Sequence, residues 1–443
     1  MSEHDTDTLV SEAQHAALKL ANVDETTRNA ALESIADALR ERSEEIRSAN
    51  AKDVAEAEAM LERGEYTRAL VDRLKLDEAK IEDIAEMVES VAEQDDPLGE
   101  TLDARELDEG LELYRVAVPI GVVATVFESR PDALVQIAAL ALKSGNAVIL
   151  KGGSEASESN RILHEIVREA TADLPDGWAG LIEAHEEVDR LLELDDAVDL
   201  VMPRGSSEFV SYIQDNTQIP VLGHTEGVCH VYVDGDADLE MAEEIAFDAK
   251  VQYPAVCNAV ETLLVNESVA AEFLSDLVRR YAEAGVELRG DAATREIVDV
   301  GEATDADWET EYGDLELSIK VVGDAFEAID HINAHGSKHT ESIVTEDAET
   351  AETFMTGVDA ASVFHNASTR FADGYRYGLG AEVGISTGKI HARGPVGLAG
   401  LTTYKYYLEG DGHLVASYAG EDALPFTHRE LDAAWTPGRR SNR

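Results

Sequence analysis

The sequence is poor in lysine, cysteine, proline and aromatic rings, and no long apolar run occurs in it. Only Cys229 and Cys257 are present among 443 residues, which excludes a disulfide framework and suits a reducing compartment. The longest near-uniform apolar stretch, 116–127, falls short of the ~20 residues a membrane span needs and is broken by Pro119 and Gly121. The start, MSEHDTDTLV, has neither the basic residues nor the apolar core of a secretory leader. The expectation is a cytoplasmic protein with no membrane partner. Positive charge is the largest deficit: 36 Lys and Arg stand against 91 Asp and Glu, a net charge of −55. Such a surface repels nucleic acid, so none is expected as a partner.

What is present argues for a folded chain. Hydrophobic residues make up 44%, enough in a chain of this length to bury large cores, so the charge is not read as disorder. Of the 36 basic residues 11 are Lys and 25 Arg, and a Lys-poor, acid-flooded surface points to a halophile's protein, in which salt screens the self-repulsion.

Residues 1–100 hold 27 acidic and 11 basic residues and repeat apolar positions with helical spacing, as at Leu32, Ile35, Ala36 and Leu39. The turn signal Asp108-Glu109-Gly110 between alternating runs predicts a β-hairpin over 101–118. From Tyr114 onward buried β-runs alternate with helices: strands at 121–127, 147–150 and 198–202, helices at 132–143 and 157–170. That pattern predicts parallel strands covered on both faces. A second α/β stretch runs from His230 to about Ala360, a Gly-rich segment follows to Gly400, and a last strand at 401–408 precedes an irregular acidic tail.

Two windows defy the average charge. Between Phe364 and Lys405 five basic residues (Arg370, Arg376, Lys389, Arg393, Lys405) face two acids, a sum of +3; between Tyr114 and Ser154 the excess is again positive, with Arg115, Arg130, Lys143 and Lys151. Both windows are rich in Gly and Ser and read as anion sites, or as buried elements that simply exclude carboxylates. Lys151 ends a strand and opens Gly152-Gly153-Ser154 before a helix, a phosphate cradle in outline. Pro203-Arg204-Gly205-Ser206 repeats that logic and could equally be a capped turn. No G-x-G-x-x-G occurs, and Gly384 to Lys389 is one residue short of a P-loop.

Cys257, in the loop-like stretch Gln252-Tyr253-Pro254-Ala255-Val256-Cys257-Asn258, is the candidate nucleophile; at the start of a helical turn free N–H groups would favour its thiolate, and its alternative is inert packing. Cys229, in an apolar strand pattern, reads as core. His331, His335 and His339 at i, i+4, i+8 suggest a metal face, but Gly336-Ser337 interrupts the helix and no acid or Cys completes a ligand set, so no metal is expected. His224 is a candidate for substrate contact or a packing residue.

Read together, these segments resemble one family. VPIGVVATVFESRPDALVQIAALALKSGNAVILKGGSEAS from Val118, HTEGVCHVYVD from His224, AVCNAVETLLV from Ala255, VGDAFEAIDHINAHGSKHTESI from Val322, NASTRFADG from Asn366 and GLGAEVGISTGKIHARGPVGLAGLTTYK from Gly378 are similar to the γ-glutamyl phosphate reductases of the aldehyde dehydrogenase superfamily. The resemblance spans nearly the whole chain. It implies an α/β fold, aldehyde dehydrogenase-like, with a Rossmann-like cofactor domain, an α/β catalytic domain and a β-hairpin oligomerisation flap. The implied divisions are 1–229 for cofactor, with 101–118 as the flap, 230–362 for catalysis, 363–400 returning to the cofactor domain and active site, and 401–443 as oligomerisation strand and tail.

The resemblance further implies NADPH as cofactor and L-glutamyl 5-phosphate as the small-molecule acyl phosphate substrate, reduced to the 5-semialdehyde for proline biosynthesis. It makes Cys257 the nucleophile and assigns the cofactor to Lys151, Gly152, Gly153, Ser154, Pro203, Arg204, Gly205, Ser206 and Glu311. Substrate contacts would fall to Ser129, Arg130, His224, Ser368, Thr369 and Arg370. A homo-oligomer, dimer or tetramer, and functional coupling with glutamate 5-kinase complete the expectation. Two positions depart from aldehyde dehydrogenases at large: Ser129-Arg130-Pro131 replaces an Asn before the Pro of the oxyanion loop, and His224 falls where the deacylating Glu stands. Without that base a thioester is not wasted on water, which favours reduction. The rival readings are a related enzyme acting on another acyl phosphate or acyl-CoA and, more distantly, a non-enzymatic acidic protein binding metal through the three histidines.

Overall fold

A computed structural model describes residues 3–436. The acid-rich composition first serves local structure. Helices Glu25–Glu41, Glu78–Glu93, Leu239–Val251, Ala325–His335 and Ala348–Gly357 each follow an Asp (24, 77, 238, 324, 347) whose carboxylate accepts a backbone N–H of the first turn. A negative cap there also complements the positive helix end, an effect worth about 1 kcal/mol per site.

Two parallel sheets form the body. The first runs in the order Ala179–Ile182, Ala147–Gly152, Val122–Phe127, Leu200–Arg204, with Val221 bridging Val201 at its edge. Both faces are covered: Val122, Ala124 and Val126 pack toward Val10, Val188 and Ile213, while Val123 and Phe127 pack toward Leu134, Ala138 and Leu163. This is the doubly wound arrangement that continuous apolar strands anticipate. The second sheet has seven parallel strands, ordered Gly301–Glu302, Glu287–Gly290, Glu316–Val322, Val260–Asn266, Cys229–Val233, Thr340–Val344, Ser362–His365. Val383, Val396 and Leu401, from the Gly-rich segment, return to the core of the first sheet.

A third, antiparallel sheet orders Thr402–Glu409, Leu111–Pro119, Thr101–Asp108, Arg429–Glu430. The expected hairpin is there. The tail, however, is not irregular throughout: Arg429–Glu430 pairs with Thr101–Asp108, and Trp435 stacks on Tyr407 at 4.2 Å between ring centroids. A two-residue strand has too little periodicity to show in sequence. Residues 437–443 of the tail lie outside the described residues.

Candidate active site

A cleft of about 1260 Å³ opens at the carboxyl ends of Val122–Phe127 and Leu200–Arg204, where open α/β sheets take their ligands. Its walls carry seven basic side chains (Arg73, Lys75, Lys80, Arg130, Arg204, Arg370, Arg376) and seven acidic ones (Asp72, Asp77, Asp83, Glu128, Asp132, Asp373, Glu382). The formal sum is zero in a protein of −55, so an anion meets less repulsion in the cleft than the net charge implies.

Cys257 lies on this cleft, in the turn between helix Leu239–Val251 and strand Val260–Asn266. The stretch is a loop, as the sequence suggests, with no helical turn to favour a thiolate. Burial, with Glu311 and Glu382 nearby and Arg204 opposing them, pushes the Cys257 thiol up to about 12. Cys229 is core, as expected, and its thiol donates to the Cys257 carbonyl at 3.2 Å. The two carboxylates near the nucleophile are committed elsewhere: Glu311 accepts the Gly227 N–H at 2.9 Å and Glu382 the Gly374 N–H at 2.8 Å.

His224 lines the cleft, and its Nδ1 faces the Ile385 carbonyl at 3.0 Å. A carbonyl only accepts, so Nδ1 carries the hydrogen and Nε2 the lone pair; burial lowers the ring's pKa and keeps it neutral. Ser129 adopts a left-handed φ of 52° and donates its Oγ–H to Glu155 at 2.9 Å, which fixes the turn before Arg130. Arg130 is held by Asp132 at 3.3 Å. Arg370 donates to Gln252 Oε1 at 3.1 Å. Ser368 and Thr369 are buried behind it, Ser368 Oγ capping the Arg370 N–H, and do not line the cleft.

The stretch Pro203 to Ser206 ends its strand at the cleft and begins helix Ser207–Asp215. The Ser206 N–H donates to Glu128 Oε2 at 3.0 Å, so a carboxylate already marks this as an anion-accepting helix start. The Arg204 Nη1 is sealed from solvent without a partner, and burial and Arg130 lower the side chain's pKa to about 10. Gly152, Gly153 and Ser154 line a separate pocket of about 360 Å³ with Arg161 and Glu183, beyond the carboxyl ends of the neighbouring strands. Lys151, half-buried, and Glu311 line neither cavity.

Of the cations in the two positive windows, Arg130, Arg370 and Arg376 reach the cleft. Lys143 instead is buried against Asn29, the Ala92 carbonyl and Glu25, Arg115 lies over Tyr404, and Lys389 and Arg393 pair with Asp359. Missed by the sequence are Arg73, Lys75 and Lys80, which come from the acidic helical region and carry no local signal there.

Two parallel sheets meeting at a cysteine-bearing cleft, with bare glycines at the strand ends, are the arrangement of the aldehyde dehydrogenase class. The aldehyde dehydrogenase family profile matches residues 1–307, and that family uses a nicotinamide cofactor. A γ-glutamyl phosphate reductase of Natronomonas pharaonis is 72% identical over 434 residues, 98% of this chain and 99% of the relative. That of Haloquadratum walsbyi is 68% identical, over 96% and 95% respectively. The crystal structure of γ-glutamyl phosphate reductase from Thermotoga maritima matches with a TM-score of 0.89 and 43% identity, covering 92% of this chain and 99% of that one. The chain belongs to the γ-glutamyl phosphate reductase family of aldehyde dehydrogenases. Among the described residues no helix is long and apolar enough to cross a membrane.

Proposed function

We propose that this chain reduces L-glutamyl 5-phosphate to L-glutamate 5-semialdehyde with release of phosphate, using NADPH, as a cytoplasmic step of proline biosynthesis. The observation that carries the reading is the charge-balanced cleft around Cys257 in a chain 72% identical to a reductase of that name.

The residues suit the cofactor. Gly152, Gly153 and Ser154 with Ser157 and Arg161 form a pocket sized for part of a nucleotide, and the Gly205 and Ser206 amides at a helix start suit a pyrophosphate. Held by these residues, NADPH would supply the hydride. Lys151 and Glu311 are assigned to its ribose groups as the family resemblance implies.

Chemistry at the protein begins with the Cys257 thiol, which passes its proton to a base as it attacks. His224 Nε2, with its lone pair fixed by the Ile385 carbonyl, is the neutral acceptor beside it. The sulfur bonds to the acyl carbon, the oxyanion collapses, and the carbon–oxygen bond to phosphate breaks with its electron pair on the leaving group. Arg204, Arg130 and Arg370 neutralise that dianion and the substrate's carboxylate. In the second half Cys257 is the leaving group: the carbon–sulfur bond breaks with its electron pair on sulfur, the proton held by His224 returns to it, and the aldehyde leaves. Once His224 holds the thiol proton it has no lone pair with which to activate water against the thioester, and Glu311 and Glu382 each accept a backbone N–H.

Residues 1–229 hold the cofactor in this reading, 230–362 present Cys257, 363–400 close the site, and the 101–118 hairpin with 401–443 joins subunits. Strand Thr402–Glu409 is an open edge, and Tyr404, Tyr406 and Leu408 expose one apolar side of it, which supports a homo-oligomer, dimer or tetramer. An acyl phosphate is labile in water, which favours coupling with the glutamate 5-kinase that makes it. The test is reduction of NADP+ by glutamate 5-semialdehyde, expected only when phosphate is present. Faster turnover of an N-acetylated or longer-chain acyl phosphate would overturn the substrate.

A further inference from the structure

The spacing of His331, His335 and His339 does not survive folding. Helix Ala325–His335 ends at Gly336, and His339 turns instead toward His224, whose ring it meets edge-on at 5.2 Å. One ligand atom from each of His224, Cys257 and His339 lies within 4.8 Å of the others. The two rings are prepared as ligands prepare them. His224 Nδ1–H donates to the Ile385 carbonyl, the outer contact that orients metal-bound imidazoles and leaves Nε2 free. His339 Nδ1 is 2.8 Å from Thr340 Oγ1, while its Nε2, on a fully buried side chain, has no partner. A buried, unsatisfied ring nitrogen is costly to maintain and asks for an occupant.

We infer that His224, Cys257 and His339 form a reversible site for a borderline-soft divalent cation, Zn²⁺ foremost, that takes the nucleophilic sulfur out of reaction while bound. One thiolate and two imidazoles select Zn²⁺ over Mg²⁺ or Ca²⁺, which require oxygen ligands. Three protein ligands leave a fourth position for water from the cleft. Tetrahedral Zn²⁺ holds such ligands about 3.5 Å apart, so binding draws the three atoms together from within 4.8 Å. Binding exchanges the thiol proton for the metal: Zn²⁺ and Cys257–SH give Cys257–S–Zn⁺ and H⁺, with no change of oxidation state. Substrate and metal then compete for one sulfur. The inference rests on Cys257 being the cleft nucleophile and not on which acyl phosphate is reduced.

The test is a Co²⁺ titration of the reduced, chelator-stripped full-length protein, in the salt that keeps it folded. One equivalent is expected to give tetrahedral d–d absorption with a thiolate-to-cobalt charge-transfer band. Zn²⁺ should displace it and block alkylation of Cys257 by iodoacetamide, and a chelator should restore the free thiol. Cys257→Ser should lose the charge-transfer band and His339→Ala should weaken Co²⁺ binding at least tenfold, whereas Cys229→Ala should keep both. Because His339 is in the core, His339→Asn with an unchanged circular dichroism spectrum serves as the second variant. A band that survives in Cys257→Ser, or vanishes in Cys229→Ala, or an octahedral spectrum without charge transfer, overturns the site. Absorbance needs no substrate, so failure here and failure of the reductase reading remain separate results.

Discussion

Gly227 lies directly against the backbone of Cys257: a Cβ built on it would fall 2.0 Å from the Cys257 carbonyl oxygen, backbone that cannot swing away. The Gly227 N–H is meanwhile held by Glu311 Oε2. The nucleophile turn is therefore clamped between the Cys229 strand and the segment before it. Gly227→Ala is expected to push the turn outward by about an ångström and cut kcat by about 10²-fold, with NADPH affinity little changed. Stopped-flow turnover beside fluorescence titration of NADPH checks this; equal losses in both would mean a general collapse of the fold.

Arg204 presents an unpartnered buried nitrogen beside Arg130. A cation kept there without a full set of acceptors awaits an anion, which the family resemblance alone places on the cofactor. The cleft geometry favours the acyl phosphate. Arg204→Ala should raise KM for the acyl phosphate by 10²-fold or more, at about 3 kcal/mol for a lost charge-assisted contact, and leave the NADPH dissociation constant within about twofold. Loss of NADPH binding instead would return Arg204 to the cofactor.

How far the residues alone reveal this architecture depends on the range of the signal. Strands such as 122–127 are legible because burial on both faces forces a continuous apolar run. The hairpin is legible from Asp-Glu-Gly between alternating runs. His339 was not, because the i, i+4, i+8 pattern holds only on a continuous helix, and Gly336 ends it. Nor were Arg73, Lys75 and Lys80, since their place on the cleft comes from where helices Arg68–Leu74 and Glu78–Glu93 and the link between them land against the strand ends. The state of the Cys257 thiol was not legible either: burial first, and then Glu311 and Glu382, both distant in sequence, push it up.

The thiol's position near 12 fixes how the free enzyme reacts. Iodoacetamide should modify Cys257 slowly at neutral pH, with a rate rising about tenfold per pH unit through pH 9 as the thiolate fraction grows. Nearby carboxylates raise this thiol, so Glu382→Gln should lower it and speed alkylation at pH 8. Mass spectrometry of the modified peptide separates Cys257 from Cys229, which burial holds well above the ordinary thiol range. Slower alkylation of Glu382→Gln would show that the carboxylate does not act on the sulfur.

A net charge of −55 makes the folded state dependent on screening. The Debye length falls from about 30 Å at 0.01 M salt to about 3 Å at 1 M, so repulsion among carboxylates on different helices is quenched only in concentrated salt. Molar potassium chloride should maintain the circular dichroism spectrum and raise the urea midpoint, and dialysis to low salt should unfold the chain. A midpoint independent of salt would remove the halophilic reading and leave the enzymatic one intact.

His331 supplies a pH signature inside the second domain. Its ring is buried against Trp308, His230 and His335, with Lys320 Nζ 3.1 Å from Nδ1, and burial first, then these charges, lowers its pKa to about 2. An unfolded histidine binds its proton near pH 6.5, so the unfolded state gains a proton the folded state refuses. Stability from this group is complete above pH 6.5 and is lost as pH falls toward 2. The nearby His230–Glu341 pair adds no slope near pH 5.5: burial raises Glu341 and lowers His230, so the folded pair holds one proton, as the unfolded pair does. Between pH 6 and 4 the unfolding constant should therefore grow by about a factor of ten per pH unit on account of His331. His331→Phe should flatten the pH dependence of the urea midpoint by that one proton, and an unchanged slope in the variant would show that His331 is protonated in the folded state.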